Sequence, residues 1–199
     1  MREQILWPGR DSVGFYGKTM YDDGVTLLET WGAMERLVDE GKCHAIGLSD
    51  VDLAQLAEIN RSARIHPAVV QVEAHPYLPQ WELIKACKEA RIVLLAFAAL
   101  GHSFEPKLLQ DGVIKKIAAA VGKTAAQVCI AWGLQRGTAI LTTSKNADHI
   151  RESFDVSPLP ESAMEAIEGI TTRYRFNRGV ETGIPGFIPR EADRKGYHG

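Results

Sequence analysis

Residues 39–80 constrain the fold more than any other stretch of the chain. Two short apolar runs, residues 43–48 and 69–73, flank a segment with the apolar spacing of an amphipathic helix. The apolar positions of that helix are Leu53, Leu56, Ala57 and Ile59. A strand, a helix and a second strand of these lengths are typical of a βαβ unit, whose two strands are parallel. The stretch therefore predicts an α/β fold built on a parallel sheet.

Each of the two predicted strands ends in polar residues. Ser49 and Asp50 follow the first strand, while Glu73 and His75 close the second. Gln71 shares a strand face with Glu73, because alternate residues of a strand point the same way. Parallel α/β sheets bind their ligands at the carboxyl ends of the strands. We therefore expect the chemistry of this protein at that edge.

Strands and helices continue to alternate along the chain. Further apolar runs at residues 4–7, 92–97 and 139–141 bring the predicted strand count to about five. Thr26 and Thr124 each precede a helical pattern and are predicted to cap it. Five strands with open edges leave an inner face uncovered. We therefore expect a homo-oligomer or a partner chain to cover it, or a rearrangement of the strands into an open sheet.

Length and charge limit the kind of protein that this chain can be. Its 199 residues predict a single domain over residues 1–199. The stretch over residues 171–199 is rich in Arg and Gly and is predicted to be an irregular tail. A net charge of −2 gives no electrostatic reason to bind nucleic acid or an anionic membrane. Because no apolar stretch approaches the ~20 residues of a membrane span and no signal region is evident, we expect a cytoplasmic location. The three cysteines are interpreted as buried thiols.

Five motifs together resemble the aldo-keto reductases. In family order they are GKCHAIGLSD, VVQVEAHPYLPQ, AFAALG, GKTAAQVCIAWGLQRG and TTSKNADHIRESF. The resemblance runs from about Trp7 to about Pro189 and implies a (β/α)₈ barrel that binds NADP(H) and a small-molecule ligand. About five strands are fewer than the eight of a whole barrel. The expected fold is therefore an incomplete TIM-type barrel that matches the family from about its fourth strand onward.

The resemblance implies a nicotinamide site at the predicted edge. Ser49 and Gln71 match family residues that hold the carboxamide of the cofactor, and Phe97 matches the aromatic that stacks on the ring. Asp50 stands where the family usually has Asn. An ionised carboxylate accepts hydrogen bonds but cannot donate them, so one carboxamide contact differs here.

The resemblance also implies an adenine and phosphate site further along the chain. Ser144 matches the segment that binds the 2′-phosphate, with Lys145 beside it. His149 replaces an Arg of the family, so this position lacks the permanent charge and the planar set of donors of a guanidinium. Glu152 and Ser153 match the adenine contacts.

The catalytic tetrad of the family does not map onto this sequence. Its Asp, Tyr and Lys would precede Leu6, and Leu6 itself occupies the position of the catalytic His. Tyr16 and Tyr21, with Lys18 between them, lie in the loop that the resemblance places above the barrel mouth. These tyrosines are candidates for a rebuilt proton donor, unless they are simply solvated loop residues.

Glu73 and His75 are a second pair of candidate acid/base groups. They are two positions apart on one strand end, but QVEAHP is ordinary family sequence, which favours a structural role. No histidine has metal-ligand spacing with two further ligands, so no metal site is expected.

Four functions are compatible with these residues. The first is an oxidoreductase of aldo-keto reductase lineage that keeps part of an NADP(H) site but is not an ordinary carbonyl reductase alone. The second is a redox-neutral cyclase, isomerase or lyase that reuses the barrel cavity with one acid/base group. The third is a non-catalytic binding or regulatory subunit, and the fourth is a fragment without activity of its own.

Overall fold

The computed structural model describes residues 24–103 and 105–177 of the chain. Strands and helices alternate along these residues, with one short 3₁₀ helix at Leu108–Gln110. In chain order they are α1 Leu27–Asp39, β1 Gly47–Ser49, α2 Leu53–Ser62, β2 Val69–Glu73, α3 Trp81–Glu89, β3 Val93–Phe97, α4 Gly112–Val121, α5 Ala125–Gln135, β4 Ala139–Ile140, α6 Ala147–Phe154 and α7 Glu161–Glu168. The strand predicted at residues 4–7 lies outside the described residues.

The described strands form one parallel sheet in the order β1-β2-β3-β4. Parallel neighbours that follow the chain order and are joined by helices are the wall of a (β/α) barrel. The predicted α/β class and the incomplete TIM-type barrel are thus confirmed, with four of the five predicted strands within the described residues.

The first strand is shorter than predicted. It spans Gly47–Ser49 and not residues 43–48, and its pairing begins where Gly47 lies opposite Val69. Pro67, two residues before Val69, has no backbone N–H to extend the ladder toward residue 43.

Local hydrogen bonds fix where the helices begin. The Thr26 hydroxyl accepts from the Glu29 N–H at 3.1 Å, and the Glu29 carboxylate accepts from the Thr26 N–H at 2.8 Å. Thr124 and Gln127 form the same reciprocal pair at the start of α5. Both predicted caps are confirmed, and each satisfies backbone donors that a helix start otherwise leaves unpaired.

One face of the sheet is covered by α1, α2 and α3. Buried side chains from the strands and these helices form a single cluster that includes Trp31, Leu56, Ile59, Val70, Val72, Ile84, Leu94 and Ala96. Of the four apolar positions predicted for α2, Leu56 and Ile59 are buried. Leu53 and Ala57 are exposed, so the prediction is wrong for that half. A second cluster joins α4, α5 and α7 and includes Ile114, Val128, Trp132 and Ile167. Cys87 and Cys129 are buried, as predicted, whereas Cys43 is only half-buried.

The opposite face of the sheet is more exposed to water than the face that α1, α2 and α3 cover. On β3, Val93 is 51% exposed and Leu95 is half-buried, whereas the alternating Leu94 and Ala96 are buried. Leu141, just after β4, is 44% exposed. This face corresponds to the inner wall of a barrel, and it leaves apolar side chains in contact with water.

Among residues 24–103 and 105–177, no single helix is both long and apolar enough to cross a membrane. Helices α4 and α5 meet that test of length and composition only when taken together, as a pair bent by 93°.

Candidate functional site

The carboxyl ends of three strands bring the predicted nicotinamide residues to one edge. Ser49 ends β1 and lies opposite Gln71 of β2. Phe97 ends β3 and lies opposite Glu73, the last residue of β2. Ser49, Gln71, Glu73 and Phe97 thus share the inner face and the carboxyl edge of the sheet, as the alternation of a parallel ladder requires.

Asp50 turns out of β1 with an unusual backbone. Its φ is +54°, a left-handed conformation that Asp and Asn tolerate better than most residues. Its N–H donates to the Gln71 carbonyl at 2.9 Å, and the Ser49 hydroxyl donates to its Oδ2 at 3.2 Å. The second carboxylate oxygen, Oδ1, is buried, and no described residue donates to it. The edge therefore carries a buried acceptor to which no residue in the described part of the chain donates.

The electrostatic surroundings of Asp50 act in both directions. Burial raises the pKa of this carboxyl and outweighs the Ser49 hydrogen bond and the Arg175 guanidinium, which lower it. The carboxylate of Glu73 raises it further. Asp50 is thus a carboxyl that holds its proton more tightly than an ordinary surface Asp.

Glu73 and His75 form a fully buried pair. Their side chains are 0% and 1% exposed, and His75 Nε2 lies 2.9 Å from Glu73 Oε1. Burial lowers the pKa of His75, and this effect outweighs the raising effect of Glu73. A neutral imidazole then donates from Nε2 to the carboxylate, while its Nδ1 has no hydrogen-bond partner among the described residues.

The Glu73 carboxylate also anchors a segment that lies far away in sequence. Its Oε1 accepts from the Phe176 N–H at 2.6 Å, and its Oε2 accepts from the N–H and the Nδ2 of Asn177 at 2.8 and 2.9 Å. Burial raises the pKa of this carboxyl, but the hydrogen bonds from His75, Asn177 and Phe176 outweigh it and lower the pKa to about 2. A carboxylate held in this way is an acceptor and not a proton donor.

The anchored segment lies against the carboxyl edge. The Tyr174 N–H donates to the Tyr77 carbonyl at 3.0 Å, and the Phe176 ring lies 5.0 Å from the His75 ring. Residues 174–177 therefore bring Arg175 and Asn177 to the predicted site. Sequence reasoning missed both residues, since contacts across about a hundred residues leave no local pattern.

The predicted adenine and phosphate residues lie together after β4. Ser144 precedes α6, and His149, Glu152 and Ser153 lie on it. The Ser144 hydroxyl accepts from the Asn146 N–H at 3.0 Å. Ser153 donates to the His149 carbonyl at 2.9 Å, and Gln127 Nε2 donates to the Glu152 carbonyl at 3.3 Å. The Gln127 contact thus fixes α6 to α5. The imidazole of His149 is exposed.

The remaining candidates fall outside the described residues. These are Tyr16 and Tyr21, Lys18 between them, and Leu6. Within the described part of the chain, no group of three His, Cys, Asp or Glu side chains is arranged to hold a metal ion.

The edge fits the amide end of a nicotinamide cofactor. A carboxamide offers two N–H donors and one acceptor, and the buried Oδ1 of Asp50 is an acceptor to which none of residues 24–103 and 105–177 donates. Gln71 adds an amide that both donates and accepts, and Phe97, opposite Glu73 on the neighbouring strand, adds an aromatic ring. Ser49, Asp50, Gln71 and Phe97 are the residues that would hold that group.

Comparisons with known proteins show which family the chain resembles. Residues 4–172 match the model of the aldo/keto reductase family. An aldo/keto reductase of Synechocystis is 40% identical over 172 residues, which cover 81% of this chain and 53% of that protein. A probable NAD(P)H-dependent D-xylose reductase of Emericella nidulans is 37% identical over 173 residues, which cover 80% and 54%.

A solved structure gives the same result. The crystal structure of an aldo/keto reductase from Brucella melitensis matches with a TM-score of 0.66 and 31% identity, over 71% of this chain and 54% of that one. The chain spans about half the length of the curated relatives it matches. The resemblance predicted from the motifs is confirmed, and the chain belongs to the aldo/keto reductase family.

Proposed function

We propose that this protein binds NADP(H) and works in an oxidoreductase reaction, with the nicotinamide at the carboxyl edge of β1, β2 and β3. The observation that carries the proposal is the convergence of Ser49, Asp50, Gln71 and Phe97 at that edge. It includes a buried Asp50 oxygen that accepts from none of the described residues. A relative named as an NAD(P)H-dependent reductase supports the choice of cofactor. When bound, the nicotinamide would supply or accept a hydride.

Reduction of a carbonyl also needs a proton donor. Glu73 is a poor candidate because its oxygens already accept from His75, Phe176 and Asn177. The same contacts weigh against a redox-neutral lyase or isomerase that would use Glu73 as its acid/base group. We propose that the proton comes from Tyr16 or Tyr21 in a rebuilt arrangement, or from a second chain at the barrel mouth.

The direct test is a titration of the purified chain with NADPH, followed by fluorescence and calorimetry, with the molecular mass measured in the same buffer. Saturable binding is expected. No binding at high micromolar NADPH would overturn the proposal and direct attention to redox-neutral chemistry or a binding role.

Phe97→Ala is expected to weaken NADPH binding by about tenfold, because it removes an aromatic face from the edge while leaving the polar residues in place. The affinity is measured by the same titration. Val93→Ala is a matched control on the same strand and face, since Val93 lies at the other end of β3. Equal affinities of Phe97→Ala and the unaltered chain would remove Phe97 from the site.

We also propose that a second copy of the chain covers the open inner face. Val93 and Leu141 expose about half of their surface there, and exposed apolar patches favour association. Light scattering is expected to give at least twice the 21.9 kDa mass of one chain, falling toward one chain on dilution. The double variant Val93→Lys and Leu141→Lys should favour the monomer. A monomeric mass of the unaltered chain across all concentrations would contradict the proposal.

A further inference from the structure

We infer that Asp50 makes this site prefer the oxidised form of the nicotinamide cofactor over the reduced form. The inference rests on the proposed function, because it assumes that the nicotinamide binds at the carboxyl edge. It assigns to Asp50 a part in specificity that differs from simply holding an amide group.

Three observations place the charge of Asp50 at the edge where the ring would lie. Its backbone N–H donates to the carbonyl of Gln71, so the residue is fixed beside the end of β2. The Ser49 hydroxyl donates a hydrogen bond to Oδ2 of Asp50. The other oxygen, Oδ1, is buried without a donor among the described residues. A bound group at this edge therefore meets a carboxylate whose charge is only partly neutralised by hydrogen bonds.

The two redox forms of the cofactor respond differently to that charge. The oxidised nicotinamide ring carries a positive charge and the reduced ring is neutral, whereas the carboxamide, the phosphates and the adenine are the same in both. A carboxylate close to the ring attracts the cation, and the attraction is large in a partly buried site because the effective dielectric constant is low. Hydrogen bonds to the carboxamide contribute nearly equally to both forms. The ratio of the two affinities thus reports the charge at Asp50.

Neighbouring charges set the size of the effect. Arg175, on the anchored segment, favours the ionised form of Asp50 and so lowers its pKa. Its positive charge also offsets the attraction of that carboxylate for a cationic ring. Glu73 adds a second negative charge from β2, but that charge is shared among the donors of His75, Phe176 and Asn177. Asp50 and Arg175 are consequently expected to shift the preference in opposite directions.

The test is to measure the dissociation constants of NADP⁺ and NADPH at pH 7 by calorimetry for the unaltered chain, Asp50→Asn and Arg175→Gln. Asn is nearly the same size as Asp and tolerates the left-handed backbone at this position. It removes the charge and turns one acceptor oxygen into an NH₂ donor, and this second change alters the carboxamide contacts of both redox forms alike. We expect Asp50→Asn to shift the ratio of the two constants toward NADPH by roughly tenfold. Arg175→Gln is expected to shift it toward NADP⁺. Circular dichroism and urea midpoints check that both variants fold.

The outcomes separate this inference from the proposed function. If neither form of the cofactor binds the unaltered chain or Asp50→Asn, then the proposed function fails and the inference fails with it. If both forms bind but Asp50→Asn leaves the ratio unchanged, the inference alone is overturned. A ratio that moves as expected, together with the opposite shift in Arg175→Gln, supports both, because a merely structural role for Asp50 would weaken the two forms equally.

Discussion

Replacing Glu73 with Gln is expected to lower the free energy of unfolding by about 3 kcal/mol at pH 7. The carboxylate of Glu73 is fully buried and accepts from His75, from the Phe176 N–H, and twice from Asn177. Glutamine keeps the size of the side chain but turns one acceptor into an NH₂ donor, which would face other donors. Urea unfolding followed by circular dichroism measures the loss.

The same residue gives that loss a characteristic pH dependence. The pKa of Glu73 falls from an ordinary 4.5 to about 2 on folding, so the unfolded chain binds the proton more tightly. The ionised carboxylate therefore stabilises the fold by about 3 kcal/mol above pH 4.5, and this contribution is lost as the pH falls through about 2. The difference in stability between the unaltered chain and Glu73→Gln should accordingly shrink between pH 4.5 and pH 2.

Glu29→Gln is the matched control for this substitution. Glu29 also accepts from a backbone N–H, but it is exposed and belongs to a capping box, in which Gln can take the same role. Its loss of stability is expected to be a small fraction of the loss in Glu73→Gln, because water screens an exposed carboxylate. Amide exchange should become faster at Phe176 and Asn177 in Glu73→Gln alone. Similar losses in both variants would mean that Glu73 does not hold the C-terminal segment.

The parts of the fold that depend on local sequence were predictable. The second strand is found at Val69–Glu73, as predicted, and Thr26 and Thr124 cap their helices. These features follow from apolar runs and from hydrogen bonds within three residues, which one sequence displays directly. The convergence of Ser49, Gln71 and Phe97 was predictable for a related reason, since parallel strands place their carboxyl ends at one edge.

The parts that depend on distant contacts were not predictable from a pattern. The first strand is short because its neighbour starts at Val69, which residues 43–48 do not show. Which of the apolar side chains of α2 are buried depends on the helices that lie next to α2. Glu73 is interpreted as an acid/base candidate from its place beside His75, but its main partners are Phe176 and Asn177, about a hundred residues away. Only the folded chain brings these groups together.

Gly47→Ala is expected to destabilise the protein by about 2 kcal/mol, because the new methyl group has no room. A Cβ at Gly47 would lie 2.4 Å from Val69 Cγ1 and 2.6 Å from the Val69 carbonyl oxygen. The side chain of Val69 can rotate, but the carbonyl belongs to the neighbouring strand, so β1 must move away from β2. That movement would displace Ser49 and Asp50, which follow directly, and NADPH affinity should fall together with the urea midpoint.

Gly32→Ala provides the control, because it makes the same chemical change where space is available. A Cβ at Gly32 meets no atom within 4 Å, and the residue lies inside α1. Alanine is a better helix former than glycine by about 1 kcal/mol, so this variant should be more stable than the unaltered chain. The two substitutions are thus expected to change stability in opposite directions, and only Gly47→Ala should affect the cofactor edge. A Gly47→Ala protein of unchanged stability and affinity would show that β1 and β2 do not approach each other this closely at Gly47, and that the edge does not depend on their contact there.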